Sequence, residues 1–119
     1  MITFDEWQQE RDATIPKTRQ TDIYRHVVKR LRERFDIGLK SFPLDRWAEM
    51  SYACATRQNV EVTRRNGMSV HCKAAFAGQE IIWVYCRERK CITTVLEVET
   101  KEKRFDYVAK VRSRNRVTI

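Results

Sequence analysis

The stretch VEVTRRNGMSVHCKAAFAGQEIIWVYCRERKCITTVLEV, residues 60–98, decides the fold. It alternates apolar and polar residues in four short runs separated by turn-forming clusters, the pattern of strands with two distinct faces. On this reading one face carries Val60, Val62, Val70, Cys72, Ala74, Phe76, Ile82, Val84, Cys86, Ile92, Leu96 and Val98, which is a core. The opposite face carries Arg65, Ser69, His71, Lys73, Ile81, Trp83, Tyr85, Arg87, Thr93 and Glu97. That second set mixes cations, aromatics, a histidine and a carboxylate, the combination that contacts or cuts nucleic acid.

Loop parity sets which residues share a face. Asn66-Gly67 between alternating runs is a hairpin signal. A strict two-residue loop pairs Val62 with His71 and buries His71 and Lys73 beside Val60 and Val62. A three-residue loop, Arg65-Asn66-Gly67 with Gly67 left-handed, pairs Val62 with Val70 and restores one apolar face, so a G1-bulge hairpin is expected. The same argument asks for odd loops around Ala77-Gly78-Gln79 and Glu88-Arg89-Lys90. The run Ile81–Tyr85 is apolar on both faces. That marks a central strand and leaves its own register open.

Helices precede the strands. Thr3 with Glu6 forms a capping box, with Ile2 and Trp7 as its staple, and predicts a helix over 4–13. Ile15-Pro16 breaks it. A second start lies at Thr21-Asp22. Ile23, Tyr24, Val27, Val28, Leu31 and Phe35 then recur at helical spacing, and Gly38 closes the helix. Its outer face is Arg25, Lys29, Arg30, Arg32 and Arg34. A third helix opens near Ser41 with Pro43 in its first turn, and its inner stripe is Leu44, Trp47, Met50, Ser51 and Cys54. After Glu99 the chain turns polar. Phe105, Val108 and Val111 allow a short helix, and 112–119 reads as a basic tail or an extra edge strand. The expected architecture is therefore α+β: N-terminal helices, then a four-stranded antiparallel sheet and a short basic C-terminal segment, in a single domain over 1–119.

Charge narrows the partners. With 24 basic against 16 acidic residues the net charge is +8, which favours polyanions, nucleic acid above all. The four cysteines, Cys54, Cys72, Cys86 and Cys91, form no C-x-x-C pair and have no matching histidine pair. Reduced structural thiols are expected rather than a metal site, with no cofactor. The first residues lack a basic start and an apolar block, and no apolar run approaches the ~18 residues of a membrane span, so the expected location is the cytoplasm.

Among the polar residues, His71 stands out, mid-strand beside Ser69 and Lys73. Metal-free RNA cleavage needs a base, an acid and cations for the phosphate. His71, Glu97 and Tyr85 suit the proton transfers. Arg65, Lys73 and Arg87 suit the phosphate, and Trp83 and Tyr85 can stack a base. Arg25, Lys29 and Arg32 on the second helix, and Arg112, Arg114 and Arg116 in the tail, add phosphate contacts. The alternative is that the helices cover this face, which makes Trp83 and Ile81 core and His71 a satisfied half-buried residue. His26 reads as a surface residue on the basic helix.

Three helices followed by these strands resemble the RelE-like ribonuclease group, which includes barnase, EndoU and the colicin ribonucleases. The likeness rests on residues 68–96, about a quarter of the chain. There a strand with a polar active residue is followed by an apolar strand ending in Val-Tyr, a turn, and Ile-x-Thr-Val-Leu. The resemblance implies a metal-independent endoribonuclease and marks His71, Tyr85, Arg87 and Thr94. The charged strand-end cluster of the toxins is not matched. The expected function is RNA binding, RNA ahead of DNA, with endoribonuclease action of that type. The alternative is a non-enzymatic phage or mobile-element inhibitor or modulator that binds a host protein of nucleic-acid metabolism or defence.

Overall fold

A computed structural model describes residues 1–98; the expected helix around Phe105–Val111 and the segment 112–119 lie outside them. Three helices precede a four-stranded antiparallel sheet of order β1-β2-β3-β4, as the sequence predicts. The helices are α1 (Phe4–Thr14), α2 (Lys17–Phe35) and α3 (Leu44–Thr56). The strands are β1 (Glu61–Asn66), β2 (Ser69–Phe76), β3 (Gln79–Cys86) and β4 (Cys91–Glu97).

Capping chemistry explains the helix limits. Thr3 Oγ1 accepts the Glu6 N–H at 3.2 Å and starts α1. The second helix begins at Lys17, a turn before Thr21. Pro16, which has no N–H to leave unpaired, serves as its N-cap. Gln20 Nε2 donates to the Ile15 carbonyl at 2.9 Å and fastens the corner between α1 and α2. Asp36, not Gly38, takes the left-handed position that ends α2, with φ 56°, and its N–H returns to Arg32. A 3₁₀ turn over Leu39–Ser41 intervenes before α3, whose N-cap is Pro43. Trp47, Ser51 and Cys54 are buried as expected, whereas Leu44 is exposed.

The hairpins correct the expected faces. Asn66 pairs with Ser69, so the β1–β2 loop is the two-residue Gly67-Met68, with Gly67 at φ 62°. The odd residue needed to keep Val62 facing inward is supplied inside β1. Val62 pairs with Cys72 and Arg64 with His71, leaving Thr63 as a bulge. Arg65 pairs with Val70 and is parted from His71's face. The β2–β3 loop is again two residues, Ala77-Gly78, and no bulge compensates it: Cys72 faces Trp83 and His71 faces Val84. The third strand is therefore turned over relative to the expectation. Ile81, Trp83 and Tyr85 face the helices with Val70, Cys72 and Ala74; Ile82, Val84 and Cys86 share the second face with Ser69, His71 and Lys73. A bulge at Thr93 shifts β4 likewise, so Ile92 and Val95 face inward while Thr94 and Leu96 face outward.

An aromatic seam joins helices to sheet. Phe42 stacks on Trp83 with centroids 5.5 Å apart, and Phe76 meets Trp83 edge-on at 5.9 Å. Both backbone groups of Ile92, beside the Thr93 bulge, are held by α3. Ser51 Oγ accepts its N–H at 3.0 Å, and Trp47 Nε1 donates to its carbonyl at 2.9 Å. Arg34 on α2 bonds the Val95 carbonyl, so α2 lies along β4. Ala77, at φ 51°, sits where an L side chain is strained. Ala77→Gly should raise stability by about 0.5–1 kcal/mol, read as a higher urea midpoint at unchanged slope.

Candidate nucleic-acid interface

The register disperses the constellation expected on one sheet face. His71 lies half-buried on the second face, beside Val84 and Arg64. Trp83 is fully buried against the helices and donates its indole N–H to the Ala74 carbonyl at 3.2 Å. Tyr85 is buried too; its hydroxyl accepts from Trp7 Nε1 at 3.4 Å, and burial pushes its pKa up to about 12. His71 and Tyr85 are thus on opposite faces and do not form an acid–base pair across one face. Glu97 pairs with Ile81 at the end of β4 and is exposed. Lys73 is engaged by Glu61 at 3.0 Å, which raises its pKa. Arg87 donates from Nη2 to the Gly67 carbonyl at 2.8 Å and ties the two hairpin ends together. Arg65 is exposed at the tip of the first hairpin. Arg112, Arg114 and Arg116 lie outside the described residues.

The His71 pKa is lowered, first by burial and then by the Arg64 charge. A histidine held neutral in the fold resists a proton that the unfolded chain takes up below pH about 6.5. Stability should therefore fall as the pH drops from 7 toward 5. His71→Gln should flatten that part of the profile, measured by urea midpoints at several pH values.

A different surface collects positive charge. The α2 segment holds Lys17, Arg19, Arg25, Lys29, Arg30, Arg32 and Arg34 against Asp22 and Glu33. Glu33 is taken by Arg30 at 2.8 Å. Arg25, Lys29 and Arg32 are exposed, and their side chains make no ion pair with another described residue. At i, i+4 and i+7 they form one stripe on the side of the helix away from Ile23, Val27 and Leu31. About a quarter turn round the helix, Arg19, Asp22 and His26 border a groove of about 460 Å³, whose other wall is Arg89, Thr93 and Thr94. The groove offers the Arg19 and Arg89 guanidinium groups along the β4 bulge, next to the stripe, while the Thr93 hydroxyl donates to the Val84 carbonyl at 3.4 Å.

The sequence marks the stripe but not the groove. Arg19, Asp22 and His26 share a helix face by spacing, a signal present in the chain. Their meeting with Arg89 and Thr93 depends on how α2 lies on β4, which periodicity does not carry. Among the described residues no group of three or more His, Cys, Asp or Glu can hold a metal, and the four cysteines are free. Cys54, Cys72 and Cys91 are buried, whereas Cys86, expected in the core, is half-exposed on the second face. No helix among the described residues is long and apolar enough to cross a membrane. No family model, curated protein or solved structure matches the chain.

Proposed function

We propose that the chain binds nucleic acid through the exposed stripe of α2 and the groove beside it, with charge as the main driving force. The observation that supports this is the outward-facing row Arg25, Lys29 and Arg32, which makes no ion pair with another described residue, on a helix that carries seven basic residues against two acidic ones. Such a row neutralises phosphates without reading bases, since phosphate contacts position a protein but do not specify a sequence. RNA is the leading partner. No aromatic side chain lines the groove, so binding there rests on phosphate contacts rather than on base stacking. The reading is one of binding. It needs no reaction, and the separation of His71 from Tyr85 favours it over cleavage.

Retention of fluorescently labelled single-stranded RNA, single-stranded DNA and duplex DNA across a salt series tests the proposal. Binding that weakens steeply between 50 and 200 mM salt is expected, because each neutralised phosphate releases counterions. Lack of retention of all three even at 50 mM would overturn it and turn attention to a protein partner.

A further inference from the structure

Arg11 stands apart from the basic surface. It projects from α1 and is 5 % exposed. Its guanidinium lies between two indoles, 4.9 Å from the Trp7 ring centroid and 5.4 Å from that of Trp47. These stacks offset part of the cost of burying the charge. Nε and Nη1 nevertheless have no hydrogen-bond partner among the described residues. The fork's polar contact is Nη2 to Asp12 Oδ1 at 3.4 Å, well beyond the ~2.7–2.9 Å of a strong charged pair. Asp12 shares that oxygen with Gln20 Nε2 at 3.0 Å. A buried cation this poorly paired is costly unless something else completes it.

The same residue lines a cavity of about 220 Å³ between the three helices. Lys17, Asp12 and Asp45 contribute charge to its wall, and Leu44 and Trp47 contribute apolar surface. Leu44, which the sequence places in the core, is instead 48 % exposed here. We propose that this cavity binds a small carboxylate carrying an aromatic or apolar group. The carboxylate takes Arg11 Nη2 in place of Asp12, with Lys17 beside it, and the apolar part rests on Leu44. A charged bond to a well-placed carboxylate is shorter and stronger than the 3.4 Å contact it replaces. The Asp12 side chain is 38 % exposed and can turn out to solvent. Asp12 and Asp45 disfavour a multivalent anion that brings no apolar group. None of these residues belongs to the α2 stripe or its groove, so the two sites stand or fall separately.

Sodium benzoate is the probe, with benzylamine and inorganic phosphate at matched ionic strength as comparisons. Tryptophan emission is read because Trp7 and Trp47 flank Arg11. Benzoate should change the emission saturably and raise Tm by roughly 5 °C at ten times its Kd. Benzylamine and phosphate should do neither. Arg11→Met keeps the apolar stem and removes the donors, so the benzoate response should vanish. Asp12→Asn removes the competing carboxylate, so benzoate should bind at least threefold more tightly. Absence of a saturable response in the wild type, or an unchanged response in Arg11→Met, overturns the proposal. Should Arg11→Met fail to fold, Asp12→Asn decides alone: tighter binding supports the site, and unchanged or weaker binding overturns it.

Discussion

Trp83→Ala should destabilise the protein by about 3–5 kcal/mol, against a total of about 5–15 kcal/mol for a domain of this size. The ring is fully buried, stacked on Phe42 and met edge-on by Phe76, and its N–H is bonded to Ala74. Truncation empties the centre of the helix–sheet seam and strips Phe42 and Phe76 of their shared neighbour. It also leaves the Ala74 carbonyl without that donor. Trp83→Phe keeps a ring in the seam and loses mainly the hydrogen bond and some area, so its cost should be well under half as large. Urea denaturation followed by circular dichroism separates the three proteins by midpoint. A Trp83→Ala protein as stable as the wild type would put the ring outside the core and return Trp83 and Tyr85 to the face of His71.

That expectation turns on parity, and parity is where the sequence was hard to read. The capping of α1 by Thr3, the helical spacing of Ile23, Val27 and Leu31, and the alternation in β2 are local signals, and the elements follow them. Which face β3 presents depends on a count of one residue. The bulge at Thr63 supplies that residue within β1 rather than in the turn, so His71 and Lys73 stay on the outer face as expected. The loop Ala77-Gly78 supplies none. The run Ile81–Tyr85 is apolar on both faces, so alternation could not arbitrate. Size could have: the large rings of Trp83 and Tyr85 pack better under helices than Ile82 and Val84 do. The candidate interface divides the same way. Arg25, Lys29 and Arg32 are legible from helix spacing, while His26, Arg89 and Thr93 meet only through tertiary packing.

The second large effect concerns binding. Replacing Arg25, Lys29 and Arg32 together by alanine should cost about a hundredfold in affinity for single-stranded RNA at 0.1 M salt. Each cation that neutralises a phosphate of a single strand contributes about 0.7 to the slope of log affinity against log salt. Three lost contacts lower the slope by about 2, and the gap between variant and wild type should close as salt approaches 1 M. Folding should be untouched, since all three side chains are exposed and make no ion pair with another described residue, and alanine is a better helix former than any of them. The triple variant should therefore match or exceed the wild type in urea midpoint, which separates a binding defect from a folding one.

The claim that α2, and not the sheet, meets nucleic acid is tested most directly by one comparison at 0.1 M salt. It sets the RNA affinity of the Arg25/Lys29/Arg32→Ala variant against that of a His71→Ala/Lys73→Ala variant. The sheet pair lies on the second face, and Lys73 is already engaged by Glu61. The α2 variant should lose about two orders of magnitude while the sheet variant stays within a few-fold of the wild type. A sheet variant that loses more affinity than the α2 variant would contradict the account.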